Sequence, residues 1–377
     1  MNRPTAYLIS CSDHYEHRLR VVDGQLKKLG YDTTYITSDF DHTLKQTFRC
    51  NVPGCVQLHV PPYRKNLSFA RIISHWAFSR KVYSCLESLD TPPDVIIGLL
   101  PPNFLAHYLA AYKRRHPSVK LIFDIFDLWP ETFPISGMKK LLTPAFSVWA
   151  GLRDRNLPEA DYITAECGLF REKLGIPEKN SSVIYLCGEE LSGGLKTPLL
   201  TEDRWELCYL GAVNNVIDIP EICRLVGQLQ QNKPVTLHII GQGEQLEAFM
   251  SQAKDAGATV IAHGSVYEDD RKQEILHRCH FGINIVRSAA CIGLTMKSIE
   301  YFRHGLPVIS NVPADTCKLL ENYAAGIQLG EQTACTMEKL SMAECMKMRE
   351  NARALFMEKF SKNVIEKQYQ ELFDSLL

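Results

Sequence analysis

Two successive series of short apolar runs, most of them followed by a stretch of helical period, constrain this chain more than any other feature. In the first series, residues 6–10, 33–37, 56–60, 95–99, 121–126, 162–165 and 182–186 read as strands, with helical periods such as 19–29 and 104–115 between them. Alternation of this kind specifies parallel sheets wrapped by helices. Residues 188–204, with Gly193-Gly194 and Pro198, break the pattern and read as a linker. A second series then follows at 207–210, 236–240, 259–262, 281–286, 307–310 and 326–329, and residues 343–377 read as a pair of helices. The fold class expected is α/β, with two tandem Rossmann-like domains facing across a cleft. The domains expected are 1–190, 205–355 and a final helix over 356–377 that returns to the first domain.

At 377 residues the chain is long enough for two such cores. Its formal net charge of −1 gives no case for nucleic acid. The charge is uneven, however: residues 1–200 carry 24 Lys and Arg against 20 Asp and Glu, and the remainder 18 against 23. Thirteen cysteines, odd in number and without a C-x-x-C pair, lack zinc-ligand spacing and point to a reduced, cytoplasmic setting. The opening Met1-Asn2-Arg3-Pro4 shows no signal-peptide pattern, and no apolar run reaches the length of a membrane span.

Ligands of parallel sheets bind beyond the carboxyl ends of the strands, so the loops after strands matter most. In the second series these include Gly211 with Asn214, Gly241 and Gly243, and Val266. A plain turn explains each glycine equally well. The third glycine of a dinucleotide fingerprint is missing, since Leu246 stands in its place. Met296, Lys297, Ser298 and Glu300 follow a further strand, which ends before Arg287. Lys297, Glu300, Tyr301 and His304 share a face at i, i+3, i+4 and i+7, with Lys297 at a helix start that already favours an anion. This spacing suits a diphosphate and the ribose beside it, and a solvated Lys/Glu pair is the alternative.

In the first series, Ser12 and His14 follow the opening strand, and Asp127 and Trp129 end a later one. Asp127 reads either as a catalytic group or as a cap for the turn before Pro130. Residues 63–81 mix Arg64, Lys65, Arg71 and Arg80 with Phe69, Ile73, Trp76 and Phe78. That pattern fits a membrane-surface helix or one packed on its own sheet.

Taken together, Met296-Lys297-Ser298-Ile299-Glu300-Tyr301 with Gly305-Leu306-Pro307-Val308-Ile309, the block Asp127-Leu128-Trp129-Pro130-Glu131, and the loops Tyr209-Leu210-Gly211 and Ile240-Gly241-Gln242-Gly243 resemble the GT-B glycosyltransferases. The resemblance is to the retaining bacterial family, family 4 type, of surface-polysaccharide and capsule synthesis. It implies a nucleoside-diphosphate sugar, a UDP-sugar in the first instance, held by Gly211, Asn214, Gly241, Gly243, Val266, Arg287, Met296, Lys297, Ser298 and Glu300. It implies a glycan or lipid-linked glycan acceptor on the side of Ser12, His14 and Trp129, and Asp127 as the catalytic candidate. It implies neither a metal nor another cofactor, and a cytoplasmic enzyme touching the inner membrane face through 63–81. Many relatives carry a glutamate eight positions before Glu300, where this chain has Ile292. The alternatives are a non-catalytic homologue that stabilises a partner enzyme and a UDP-sugar 2-epimerase.

Overall fold

Largely apolar runs rich in isoleucine, leucine and valine form the inner strands of two parallel sheets, as strands buried on both faces require. The computed structural model describes residues 3–12, 16–66, 68–133, 139–288 and 291–377. The chain divides into two units, one of Met1–Leu186 with Ile365–Leu377 and one of Cys187–Val364.

Unit 1 holds β1 (Thr5–Ser10), β2 (Asp32–Ser38), β3 (Phe40–Asp41), β4 (Gln46–Thr47), β5 (Val56–Leu58), β6 (Val95–Leu100), β7 (Lys120–Ile125), β8 (Tyr162–Ala165) and β9 (Ser181–Val183). Seven of these make one sheet in the order β5-β2-β1-β6-β7-β8-β9, every pair parallel. The short antiparallel pair β3–β4 is an addition that the sequence pattern did not announce. Helices α1 (Glu16–Lys28), α2 (Phe69–Glu87), α3 (Asn103–Arg115), α4 (Lys139–Asp154) and α5 (Gly168–Lys173) complete the alternation.

Unit 2 repeats the plan with β10 (Trp205–Leu210), β11 (Val235–Ile240), β12 (Thr259–Gly264), β13 (Phe281–Asn284), β14 (Val308–Ser310) and β15 (Gly326–Gln328), in the parallel order β12-β11-β10-β13-β14-β15. Its helices are α6 (Ile219–Gln230), α7 (Leu246–Asp255), α8 (Asp269–Leu276), α9 (Met296–Arg303), α10 (Asp315–Tyr323), α11 (Thr333–Glu338) and α12 (Met342–Lys359). The expected α/β class and the two Rossmann-like sheets are therefore present. In each sheet the strand order reverses at one place, between β1 and β6 in unit 1 and between β10 and β13 in unit 2. These switch points are where open α/β sheets take ligands.

The two C-terminal helices part company. Helix α12, capped by a reciprocal Ser341/Glu344 box, stays in unit 2, where the Arg349 Nη1 donates to the carbonyls of Leu276 (3.3 Å) and Cys279 (2.6 Å). The last helix, α13 (Lys362–Leu376), passes from Ile365 onward into unit 1. There the Tyr369 hydroxyl reaches Asp124 Oδ2 at 3.3 Å. Asp124 in turn binds Arg18 through two hydrogen bonds of 2.6 and 2.8 Å, and Arg18 also donates to the carbonyls of Ile184 (2.9 Å) and Tyr185 (3.3 Å). Both members of this ion pair are almost wholly buried. Removing one partner would leave a charge stranded in the core, at a cost of about 3–5 kcal/mol. Asp124→Ala is therefore expected to destabilise unit 1 by that amount in urea unfolding. A loss below 1 kcal/mol would show that the network is peripheral to the fold.

Candidate functional site

The switch point of unit 2 is built from backbone before any side chain enters. Gly241 (φ 147°) and Gly243 (φ 157°) hold conformations that favour glycine. A Cβ at Gly241 would lie 2.0 Å from the Gly211 carbonyl oxygen, and one at Gly243 would lie 2.2 Å from that of Val213. The loops after β10 and β11 thus lie directly against each other, joined by Gly211 N–H to Ile240 O (2.8 Å) and Val213 N–H to Gln242 O (2.9 Å). Gly241 N–H extends the lacing to Gly264 O at the end of β12, at 2.8 Å. Asn214 closes its own turn by accepting from Val216 N–H at 3.0 Å, and Arg287 is exposed, with its Nε donating to Ile217 O at 3.4 Å. Val266 is buried beside an exposed Tyr267.

Helix α9 is aimed at this rim by two polar anchors. Thr295 caps it by accepting from Ser298 N–H at 3.1 Å, and Asn284 Nδ2 donates to both Thr295 Oγ1 and Ser298 Oγ at 2.8 Å. Tyr301 is fully buried with its ring over Gly282, where a Cβ would come within 2.7 Å of it. Its hydroxyl donates to Cys208 O (2.9 Å) and accepts from Leu210 N–H (2.7 Å). The shared face read from the spacing therefore divides. Lys297 and Tyr301 turn to β10, while Glu300 and His304 turn to α8.

Lys297 is half-buried, and its Nζ lies 3.8 Å from the centre of the Tyr209 ring. Among the described residues no carboxylate pairs with it, and burial pushes its pKa down to about 7. An ammonium held against a π face and short of a counter-charge is poised for an anion. Met296, next to it, is exposed at the helix start. Glu300 is bound through one oxygen only. Lys272, Arg303 Nη1 (3.4 Å) and His304 Nε2 (3.3 Å) all reach Oε1. Burial raises its pKa, but the hydrogen bonds from His304 and Lys272 outweigh this and hold it at about 2. Oε2 has no partner among the described residues and remains a free acceptor. Asp269, Glu300 and His304 form a tight group of potential metal ligands. Lys272 and Arg303 already bridge its two carboxylates, which removes the negative charge a cation would need.

Two expected site residues carry structural contacts. Ser298 is fully buried, and its side chain secures the loop through Asn284. Asp127 is the turn cap: Oδ1 accepts from Leu128 N–H (2.7 Å) and Thr132 (2.9 Å), and Oδ2 from Trp129 Nε1 (2.5 Å). Burial raises the pKa of its carboxyl group. The rest of that block is also structural, since Glu131 pairs with buried Arg153 at 2.8 Å and Trp129 O accepts from Asn103 and Arg153.

Ser12 and Trp129 do come together, in a pocket over the strand ends of unit 1 that Cys11, His42, Tyr63, Arg71 and His75 also line. His14 lies outside the described residues. The sequence reading missed His75 and the inward direction of Arg71. The available signal was the polar i, i+3, i+4 set Arg71, Ser74 and His75 inside an otherwise apolar helix. On the opposite face of α2, Phe69 (84%), Ile73 (53%) and Trp76 (39%) are exposed. No helix among the described residues is long and apolar enough to cross a membrane.

Residues 205–339 match the family model of the glycosyl transferases group 1. The whole chain superposes on the lipopolysaccharide outer core galactosyltransferase WaaB (TM-score 0.67, 14% identity, 99% of this chain and 100% of that one). Anabaena HepE in complex with UDP matches at a TM-score of 0.66, with 15% identity over 99% and 100% of the two chains. WaaG, a glycosyltransferase of lipopolysaccharide biosynthesis, matches at 0.58, with 12% identity over 97% and 99%. No curated protein matches in sequence. The chain therefore has the GT-B fold of these structures. More narrowly, residues 205–339 of its second unit match the group 1 glycosyl transferase model.

The lowered pKa of Lys297 sets a sign for stability. Between about 7 and the ordinary lysine value of 10.5, the unfolded chain holds a proton that the folded chain has released. Stability therefore rises with pH across that window and is flat, at its lower level, below it. Lys297→Met is expected to abolish that contribution when urea unfolding of the two proteins is compared from pH 7 to 9.5. Parallel curves for the two would show that the lysine titrates normally.

Proposed function

We propose that the chain is a glycosyltransferase that takes a sugar from a nucleoside-diphosphate sugar, a UDP-sugar in the first instance, and places it on a glycan acceptor of bacterial surface polysaccharide. The observation that carries this reading is Lys297, a cation without a counter-charge among the described residues at the start of α9, beside the glycine-laced switch point. One turn on, the free oxygen of Glu300 offers an acceptor for the ribose hydroxyls. The solved HepE structures holding UDP and UDP-glucose agree with such a donor, although that is a statement about HepE.

In this reading, charge that develops on the leaving diphosphate is met by the Lys297 ammonium and by the first-turn amides of α9, donors fixed before reaction. Gly211, Gly241 and Gly243 let backbone approach the phosphates, Arg287 and Asn214 flank them, and the backbone at Val266 faces the base. With Asp127 committed to its turn, no side chain is assigned as base, and the departing phosphate takes the acceptor proton on the same face, with retention. No metal enters this scheme. A panel of UDP, GDP, dTDP and CMP without added metal tests it by thermal shift. One diphosphate is expected to raise the midpoint, since a ligand at 100 times its Kd stabilises by about 2.7 kcal/mol. Lys297→Ala is expected to erase the response. Silence from the whole panel with the intact protein would sink the reading.

The acceptor enters on unit 1, by Ser12 and Trp129, and the outward face of α2 meets the inner membrane surface. Phe69, Ile73 and Trp76 supply apolar anchors, with Arg64, Lys65 and Arg80 exposed around them and Arg80 5.5 Å from the Trp76 ring centre. The triple change Phe69→Ser, Ile73→Ser, Trp76→Ser is expected to cut sedimentation with vesicles containing phosphatidylglycerol at least tenfold and leave the midpoint unchanged. Undiminished sedimentation would assign membrane contact elsewhere.

A further inference from the structure

Helix α2 is inverted in its first two turns. Phe69, Ile73 and Trp76 face outward, while Arg71, Ser74 and His75 face inward and are at least nine-tenths buried. Burying three polar side chains under exposed apolar ones costs stability unless the buried groups have work to do. All three line the unit 1 pocket, which lies at the carboxyl ends of β1, β2, β6 and β7, over the switch between β1 and β6.

Two cations lie against the aromatic walls of the pocket. The Arg71 guanidinium lies 4.0 Å from the Trp129 ring centre and 5.7 Å from that of Tyr63, with Nη1 donating to Asn66 O at 3.1 Å. Lys45 Nζ lies over the other aromatic wall, 4.8 Å from the Tyr63 ring centre. The His75 ring stacks on Trp129 at 5.5 Å and 5°, and its buried Nδ1 has no hydrogen-bond partner among the described residues. Among the described residues, two acids stand nearby and keep their charge. Asp41 Oδ1 accepts from the amides of Thr43 (2.7 Å) and Leu44 (2.8 Å), and Asp127 accepts from its own turn. The cations press on one another. Burial, Arg71 and His42 push the pKa of His75 down, and burial and Arg71 push that of Lys45 down.

We propose that this pocket is an anion site that receives a phosphate ester group, with Arg71 as its principal cation, His75 Nδ1–H as a second donor, and Trp129 and Tyr63 as walls for the group that the phosphate carries. The inference rests on the glycosyltransferase reading only in calling that ligand the acceptor. It makes the acceptor a phosphorylated molecule, and the phosphate belongs either to a lipid-linked glycan or to a free sugar phosphate.

The test uses the full chain bearing Lys297→Ala, so that the cation of unit 2 does not bind the probes. Geranyl diphosphate and glucose 1-phosphate are titrated by calorimetry. At least one of them is expected to bind, and Arg71→Gln is expected to weaken it at least tenfold, Arg71→Lys less so, and His75→Phe several-fold. Preference for geranyl diphosphate assigns a lipid-linked acceptor, and equal binding or preference for glucose 1-phosphate a free one. Absence of binding by both probes, or binding unaltered by Arg71→Gln and His75→Phe, would overturn the proposal. A UDP titration of Arg71→Gln with Lys297 intact shows whether that chain is folded and reads the donor site alone. Failure of UDP therefore counts against the glycosyltransferase reading, and failure of the phosphate probes counts against this pocket.

Discussion

The architecture of unit 2 depends on one buried hydroxyl. Tyr301 donates to the carbonyl of Cys208 and accepts from the amide of Leu210, and so it occupies the gap that opens where β10 and β13 lead their chains to opposite sides. A parallel sheet at its switch point exposes backbone groups that no crossover satisfies. A phenol on α9 fills that need and fixes the helix to β10 at a set height. Lys297, one turn earlier on the same side, is thereby carried onto the Tyr209 ring. The cation owes its place to a tyrosine that never meets a ligand.

Unit 1 solves a related problem with charge. Arg18 and Asp124 sit in the core and gather α1, β7, the chain after β9 and the last helix around one ion pair. Such pairs bring little net stability but make alternative arrangements expensive. The Asp127–Glu131 block works in the same spirit nearby. Its carboxylates tie down a turn and a buried arginine, and this rigid turn presents the Trp129 ring to the pocket.

Most strands were legible in the sequence, because buried parallel strands are written as largely apolar runs, and several of the loops after them carry glycine. Lys297 was legible for the same reason, being a charge at the start of a helix that follows a strand. The bonding partners of Asp127 and Ser298 were not, because a polar residue at a strand end reads alike whether it faces a ligand or satisfies the backbone, and only the positions of Leu128, Thr132 and Asn284 show the latter contacts. The pocket of unit 1 escaped because α2 violates the amphipathic rule. Its apolar residues were assigned to either the core or a membrane, while the polar set facing inward looked like ordinary helix surface. The return of the last helix to unit 1 was expected, but its start was not, since the division falls after a short break near Ser361 with no change in composition.

The asymmetry of the Glu300 carboxylate has a consequence for recognition. A free glutamate samples several rotamers, and immobilising such a chain on binding costs about 0.5–1.5 kcal/mol. Here three donors seize one oxygen in the folded protein and leave the other bare. The ordering is completed during folding, so in the function proposed above the ribose hydroxyls would meet an acceptor whose direction is already set. Affinity gained in this way needs no added contact. It also makes selection stringent, because an acceptor that cannot swing penalises any ligand whose hydroxyls are displaced.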